Sequence, residues 1–187
     1  MTPAADARED MRSQLHALIR QRSFRMGDFT LTSGRKSLYF FDLKPTMLHP
    51  TGGRLLASMV LDALDDHPEV DAIGGLALGA VPIVSAVAVM SSLRQRPVSG
   101  FYVRKNAKGH GTRQRIDGVV DAGQKVVIID DVTTTGGSSL EAWRAVRELG
   151  CEVLEVMTVV DRMEGATEAL AEHGLRLRPL FTRADFG

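Results

Sequence analysis

The sequence predicts an α/β fold built on a central parallel sheet, and three observations carry that expectation. From residue 72 onward, apolar runs of strand length alternate with segments of helical period, the pattern of successive βαβ units. Residues 126–129 form an unbroken β-branched run, Val-Val-Ile-Ile, as expected of a parallel strand covered on both faces. Glycines, paired acids and threonines cluster directly after such runs, at the carboxyl ends of strands, where open α/β sheets bind ligands.

The elements follow in chain order. Met11, Leu15, Leu18 and Ile19 recur at helical spacing and predict an opening helix over residues 6–22. Residues 38–43 are aromatic-rich and follow Ser33-Gly34, so they read as a strand after a turn. Leu55, Leu56, Met59, Val60, Ala63 and Leu64 make a helical stripe. A strand over 72–76 is closed by glycines, and 81–90 is apolar all round, which predicts a buried helix. Strands are expected at 98–103 and 126–129. Leu140, Trp143, Val146 and Leu149 then mark a helix that stops at Gly150. A covered strand at 153–160, a helix at 166–172 and a last strand at 175–180 complete the pattern. There is no repeat, low-complexity tract or linker, so the 187 residues are expected to form one domain.

Composition narrows the function. Lys plus Arg and Asp plus Glu both number 23, and this balance argues against a dedicated nucleic-acid binder. No apolar run approaches the ~20 residues that span a bilayer. Residues 1–11 are polar with alternating charges, unlike a signal peptide. The lone Cys151 cannot form an internal disulfide and leads into an apolar run, so a buried structural thiol and a reducing cytoplasm are expected.

The strongest chemical signal is the strand 126–129 followed by Asp130, Asp131, Val132, Thr133, Thr134, Thr135, Gly136, Gly137, Ser138 and Ser139. Glycines let a backbone approach a ligand closely. A following helix offers unpaired N–H groups and the positive end of its dipole, which suits a phosphate. The carboxylates can accept hydrogen bonds from sugar hydroxyls or hold magnesium through water. Ser138 and Glu141 also fit a capping box, which would close the helix without a ligand. A cap, however, does not require two adjacent acids behind a buried strand, where unpaired charge is costly.

Four further segments gain meaning beside it. Residues 104–115 hold Arg104, Lys105, Lys108, His110, Arg113 and Arg115 with Gly109 and Gly111. Alone this is a solvated basic loop; beside a phosphate site it suits a flap over a pyrophosphate leaving group. Residues 31–42 join a Ser-Gly-Arg turn to Phe40 and Phe41, aromatic residues that in isolation would be core. Residues 74–82 are glycine-rich, fitting either pyrophosphate binding or close packing. Asp161-Arg162 at a strand end is either an ion pair or a donor fork for an anionic substrate.

Taken together, residues 29–165 resemble the type I phosphoribosyltransferases, and among them the orotate enzymes. The resemblance implies a twisted parallel sheet flanked by helices, with a hood mainly from residues 1–50 over a core of residues 51–187 that binds phosphoribosyl diphosphate (PRPP). It implies transfer of the phosphoribosyl group to orotate, with Lys108, His110, Asp130 and Asp131 catalytic. PRPP would be held by Arg104, Lys105, Lys108, His110 and residues 130–138; orotate by Phe40, Phe41, Thr134 and Arg162. It further implies Mg2+ carried mainly by PRPP, and a homodimer that shares the basic loop. The chain departs from many orotate enzymes at Thr32 and at Leu78-Gly79, where they carry a lysine and a Tyr-Lys step. A transferase for another nucleobase, a PRPP-sensing regulator and a flavodoxin-like nucleotide module are the alternatives.

Overall fold

The computed structural model describes residues 3–30, 36–105 and 115–187. Helix α1 (Pro3–Arg22) leads into a hairpin of β1 (Phe24–Thr30) and β2 (Lys36–Phe41). A short α2 (Lys44–Met47) and α3 (Pro50–Ala63) follow. The sheet is then laid down as β3 (Ala72–Leu76), α4 (Ala80–Leu93), β4 (Ser99–Val103), β5 (Ile116–Gly118) and β6 (Lys125–Thr133). It continues with α5 (Gly137–Leu149), β7 (Glu152–Asp161), α6 (Ala166–Ala171) and β8 (Leu177–Thr182), and ends in a 3-10 turn, Arg183–Phe186.

The strand order is β5-β4-β3-β6-β7-β8, with every pair parallel except the antiparallel β4–β5 edge. The reason lies in the β-branched run. Val127 and Ile129 pack with residues of α1, α3 and α4 on one face, whereas Val126 and Ile128 pack with Ala142, Ala145 and Val146 of α5 on the other. Both faces of β6 are therefore core, and burying each such side chain stabilises the fold by about 1.5–3 kcal/mol. Among the described residues, no helix is long and apolar enough to cross a membrane.

The structure departs from the sequence reading in instructive places. Strand β1 was not expected; its sequence Phe-Arg-Met-Gly-Asp-Phe-Thr lacks a clean period because the hairpin is largely exposed and pairs only with β2. The three-residue β5 is too short to show a period. Helix α4 is not buried all round: Ile83, Val84 and Val87 face the core, but Val89 is 64% and Leu93 72% exposed. Strand β6 runs through Thr133, so the paired acids extend the ladder rather than follow it.

Candidate active site

The site is assembled at the carboxyl ends of β3, β6 and β7. Pairing of β6 with β7 persists past the apolar run, through Asp130↔Thr158 to Thr133↔Asp161. This rigid ladder leaves Asp130 only 7% exposed and Asp131 half-buried. The Asp131 N–H donates to Asp130 Oδ1 at 3.0 Å. Burial, and then the neighbouring Asp131 charge, push the Asp130 carboxyl well above the usual carboxylate range, while Lys105 pulls the other way. Such a carboxyl is poised for a ligand that brings donors or positive charge.

Asp131 reaches over the start of α4. A Cβ built on Gly79 would lie 2.5 Å from Asp131 Oδ1, so the acid occupies the volume a side chain there would take. The glycines just before it have another use: Gly74 accommodates the Phe101 ring, and Gly75 lies against the Ile129 carbonyl. The glycine-rich segment is thus packing along β3, and makes room for the acids at its end.

Beyond the acids the chain turns at Gly136, whose φ of 79° lies in the left-handed region, and α5 begins. No side chain caps this helix. The capping box that Ser138 and Glu141 could have made is not formed: the cap position is Gly136, and Glu141 pairs with Arg115. Thr133 Oγ1 and Ser139 Oγ are buried without a hydrogen-bond partner. Val132, Thr134 and Ser138 are half-buried, while Thr135 and Gly137 are exposed. An uncapped helix start ringed by hydroxyls is an anion site by its own electrostatics.

The basic segment is tied to this helix at both roots. Arg104 N–H donates to the Arg115 carbonyl at 2.8 Å, and Arg115 Nε returns a bond to the Arg104 carbonyl at 3.0 Å. Arg104 also pairs with Asp117 at 2.8 Å. Arg115 pairs with Glu141 on α5, so the roots of the loop and the helix start form one unit. Lys105 is exposed. Lys108 and His110 lie outside the described residues.

A separate cleft of ≈ 340 Å³ opens between the hood hairpin, Arg162 and the carboxyl terminus. Arg162 is 7% exposed. Its backbone N–H donates to the Thr133 carbonyl at 2.9 Å, which ties the cleft to the phosphate loop. Its Nη2 meets Glu164 Oε1 at 2.8 Å and Ser37 Oγ at 3.3 Å, and its guanidinium lies 4.8 Å from the Tyr39 ring. Arg162 Nε is buried with no hydrogen-bond partner among the described residues, a donor open to an acceptor.

The strand period separates Phe40 from Phe41. Phe41 is buried against Phe24, Tyr39 and Phe186, whereas Phe40 is 39% exposed on the opposite side of β2, with Phe29. The aromatic residues that line the cleft are Tyr39 and Phe24. The sequence reading overlooked Tyr39, Ser37, Glu164 and Arg183. Period-two alternation with Phe41 would have placed Tyr39 and Ser37 on one face; nothing local marks Arg183.

Comparison with known proteins bears on this arrangement. Residues 49–172 match the phosphoribosyl transferase domain. An orotate phosphoribosyltransferase of Rhodopseudomonas palustris is 51% identical over 179 residues, covering 94% of this chain and 95% of the relative. The chain belongs to the orotate phosphoribosyltransferase family. Orotate phosphoribosyltransferase of Mycobacterium tuberculosis, solved with Fe(III) dicitrate, superposes with a TM-score of 0.84 at 40% identity, covering 95% of this chain and 99% of that one. The same enzyme solved with PRPP gives a TM-score of 0.78 at 34% identity, over 95% and 92% of the two chains. The family match spans the phosphate loop, while the orotate phosphoribosyltransferase relatives align through the hood as well, where the base-side cleft lies.

Proposed function

We infer that this protein transfers the 5-phosphoribosyl group of PRPP to orotate, giving orotidine 5′-phosphate and pyrophosphate, a step of pyrimidine nucleotide synthesis. The observation that carries this reading is the buried Asp130 beside the half-buried Asp131 at the mouth of an uncapped helix, joined through Thr133 to a cleft walled by Arg162. Orotate offers a carboxylate to the open Nε donor of Arg162 and a flat ring to Tyr39. The 5-phosphate takes residues 132–138 at the start of α5.

In the reaction, an orotate ring nitrogen bonds to the anomeric carbon as the bond from that carbon to pyrophosphate breaks, and orotate loses its N–H proton. The ribose passes through a cation-like state. Asp130 and Asp131 accept hydrogen bonds from its hydroxyls, and their charge is favoured as positive charge develops on the ring. Lys105, Lys108 and His110 of the basic loop meet the departing pyrophosphate, with His110 a proton donor. Closing that loop keeps water from the anomeric carbon.

Magnesium would neutralise the pyrophosphate when bound. The ion would be carried mainly by PRPP, with Asp130 and Asp131 reaching it through water. The exposed apolar face of α4, with Val89 and Leu93, supports a homodimer that shares the basic loop. Burial raises the Cys151 thiol, as suits an unreactive structural cysteine in the reducing cytoplasm. The zero net charge gives no support to a nucleic-acid partner.

The test is turnover of a base panel. Magnesium-dependent loss of orotate absorbance with PRPP is expected, with adenine, hypoxanthine and uracil inert. PRPP binding without turnover of any base would promote the regulator reading instead.

A further inference from the structure

The base-side cleft has a second arginine. Arg183 lies in the closing 3-10 turn, lines the cleft together with Arg162, and places its guanidinium 5.1 Å from the Tyr39 ring. Two guanidinium groups thus share one aromatic ring, but their surroundings differ. Arg162 is buried and partly neutralised by Glu164 at 2.8 Å. Arg183 is exposed, and among the described residues no carboxylate lies within ion-pair distance of it. Its charge is therefore available to a ligand.

The backbone that carries Arg183 is fixed on both sides. Asp185 Oδ2 accepts from the Thr182 N–H at 2.6 Å and from its hydroxyl at 3.0 Å, closing a capping box around Arg183. Arg12 of α1 pairs with Asp185 at 3.0 Å, and His16 Nε2 meets the Asp185 carbonyl at 2.8 Å. Phe186 is buried and stacks on His16 with ring centroids 4.7 Å apart. Burial alone would raise the Asp185 carboxyl, but the Thr182 bonds and the Arg12 charge outweigh it and hold it lowered. With the turn so anchored, a ligand has only the Arg183 side chain to order, not its backbone.

Resting on the proposed orotate reaction, we propose that Arg183 is a specificity-determining residue that contacts the carboxylate of the pyrimidine. The cleft thereby selects a pyrimidine with an anionic substituent over a neutral one, Arg162 supplying the buried fork and Arg183 the uncompensated charge.

The experiment measures binding of two nucleotides that differ only in that carboxylate, orotidine 5′-phosphate and uridine 5′-phosphate, to the wild-type chain and to Arg183→Met and Arg183→Lys. Arg183→Met is expected to weaken orotidine 5′-phosphate about tenfold, as for an exposed charged hydrogen bond. Uridine 5′-phosphate should change by less than about twofold, the KM for PRPP should hold, and Arg183→Lys should recover part of the loss. Equal weakening of both nucleotides would reduce Arg183 to a structural role, and unchanged discrimination in Arg183→Met would overturn the proposal while leaving the reaction standing. A wild-type chain that neither prefers orotidine 5′-phosphate nor consumes orotate would overturn both.

Discussion

Replacing Gly79 with alanine separates the geometry of the acids from the stability of the fold. The added Cβ would sit 2.5 Å from Asp131 Oδ1, against an ordinary van der Waals contact that begins at 3.4 Å. The carboxylate must therefore retreat by about 0.9 Å, and misplacing a catalytic group by about 1 Å can cost on the order of 10²-fold in rate. The fold has little to lose. The obstructing atom is the end of a side chain that can rotate, and Gly79 has φ −55° and ψ −46°, which alanine adopts without strain. Loss of glycine entropy from the unfolded chain is worth about 0.4–1 kcal/mol in favour of the variant. Gly79→Ala is thus expected to keep or slightly raise Tm while kcat/KM for PRPP falls about 10- to 100-fold. The assay is steady-state turnover with PRPP varied at saturating orotate, beside thermal unfolding. Undiminished kcat/KM would show that Asp131 is not used where the structure places it, and a fall in Tm of many degrees would show that the clash is not confined to the carboxylate.

Asp130→Asn tests the buried acid by pH. Because the folded carboxyl keeps its proton above the ordinary value of 3.8, the native state binds more protons than the unfolded state in the window above 3.8, and wild-type stability falls as pH rises through it. The asparagine removes that liability, so Tm should rise by about 2–4 °C at neutral pH, the shift of about 1 kcal/mol in a chain of this size, with the gain vanishing in acid while turnover drops about 10²-fold. The two aromatic residues of β2 should part company: Phe41→Ala costs about 3–5 kcal/mol of stability in urea unfolding. Phe40→Ala, on the opposite side of β2, changes stability by less than about 0.5 kcal/mol. On the proposed homodimer, Val89→Asp with Leu93→Asp should shift sedimentation to the monomer and lower activity at least about tenfold, because two charges replace the exposed apolar face of α4.

Much of this was legible in the sequence, for physical reasons. Strands β3, β6 and β7 are buried on both faces, so their apolar runs declare them. The proposed phosphate loop is contiguous in the chain, residues 130–139, so its parts stay together in space. The base-side cleft is different. Arg183 and Tyr39 meet only because α1 clamps the final turn beneath the hairpin, through Arg12, His16 and Phe186. No local pattern encodes a contact between the two ends of a chain. Helix α4 misled in the other direction: an all-apolar helix predicts burial, and Val89 and Leu93 are apolar on its exposed side. Gly79 could be noted as a missing lysine, but only the fold shows that the room it leaves is filled by Asp131.

The most direct test of the central claim is to follow the phosphorus resonances of PRPP mixed with orotate, magnesium and the wild-type chain, with Asp131→Ala in parallel. One orotidine 5′-phosphate should appear for each pyrophosphate with the wild type, none once magnesium is chelated, and little with Asp131→Ala. Persistence of PRPP with the wild type, or its breakdown to ribose 5-phosphate and pyrophosphate without nucleotide, would contradict the account.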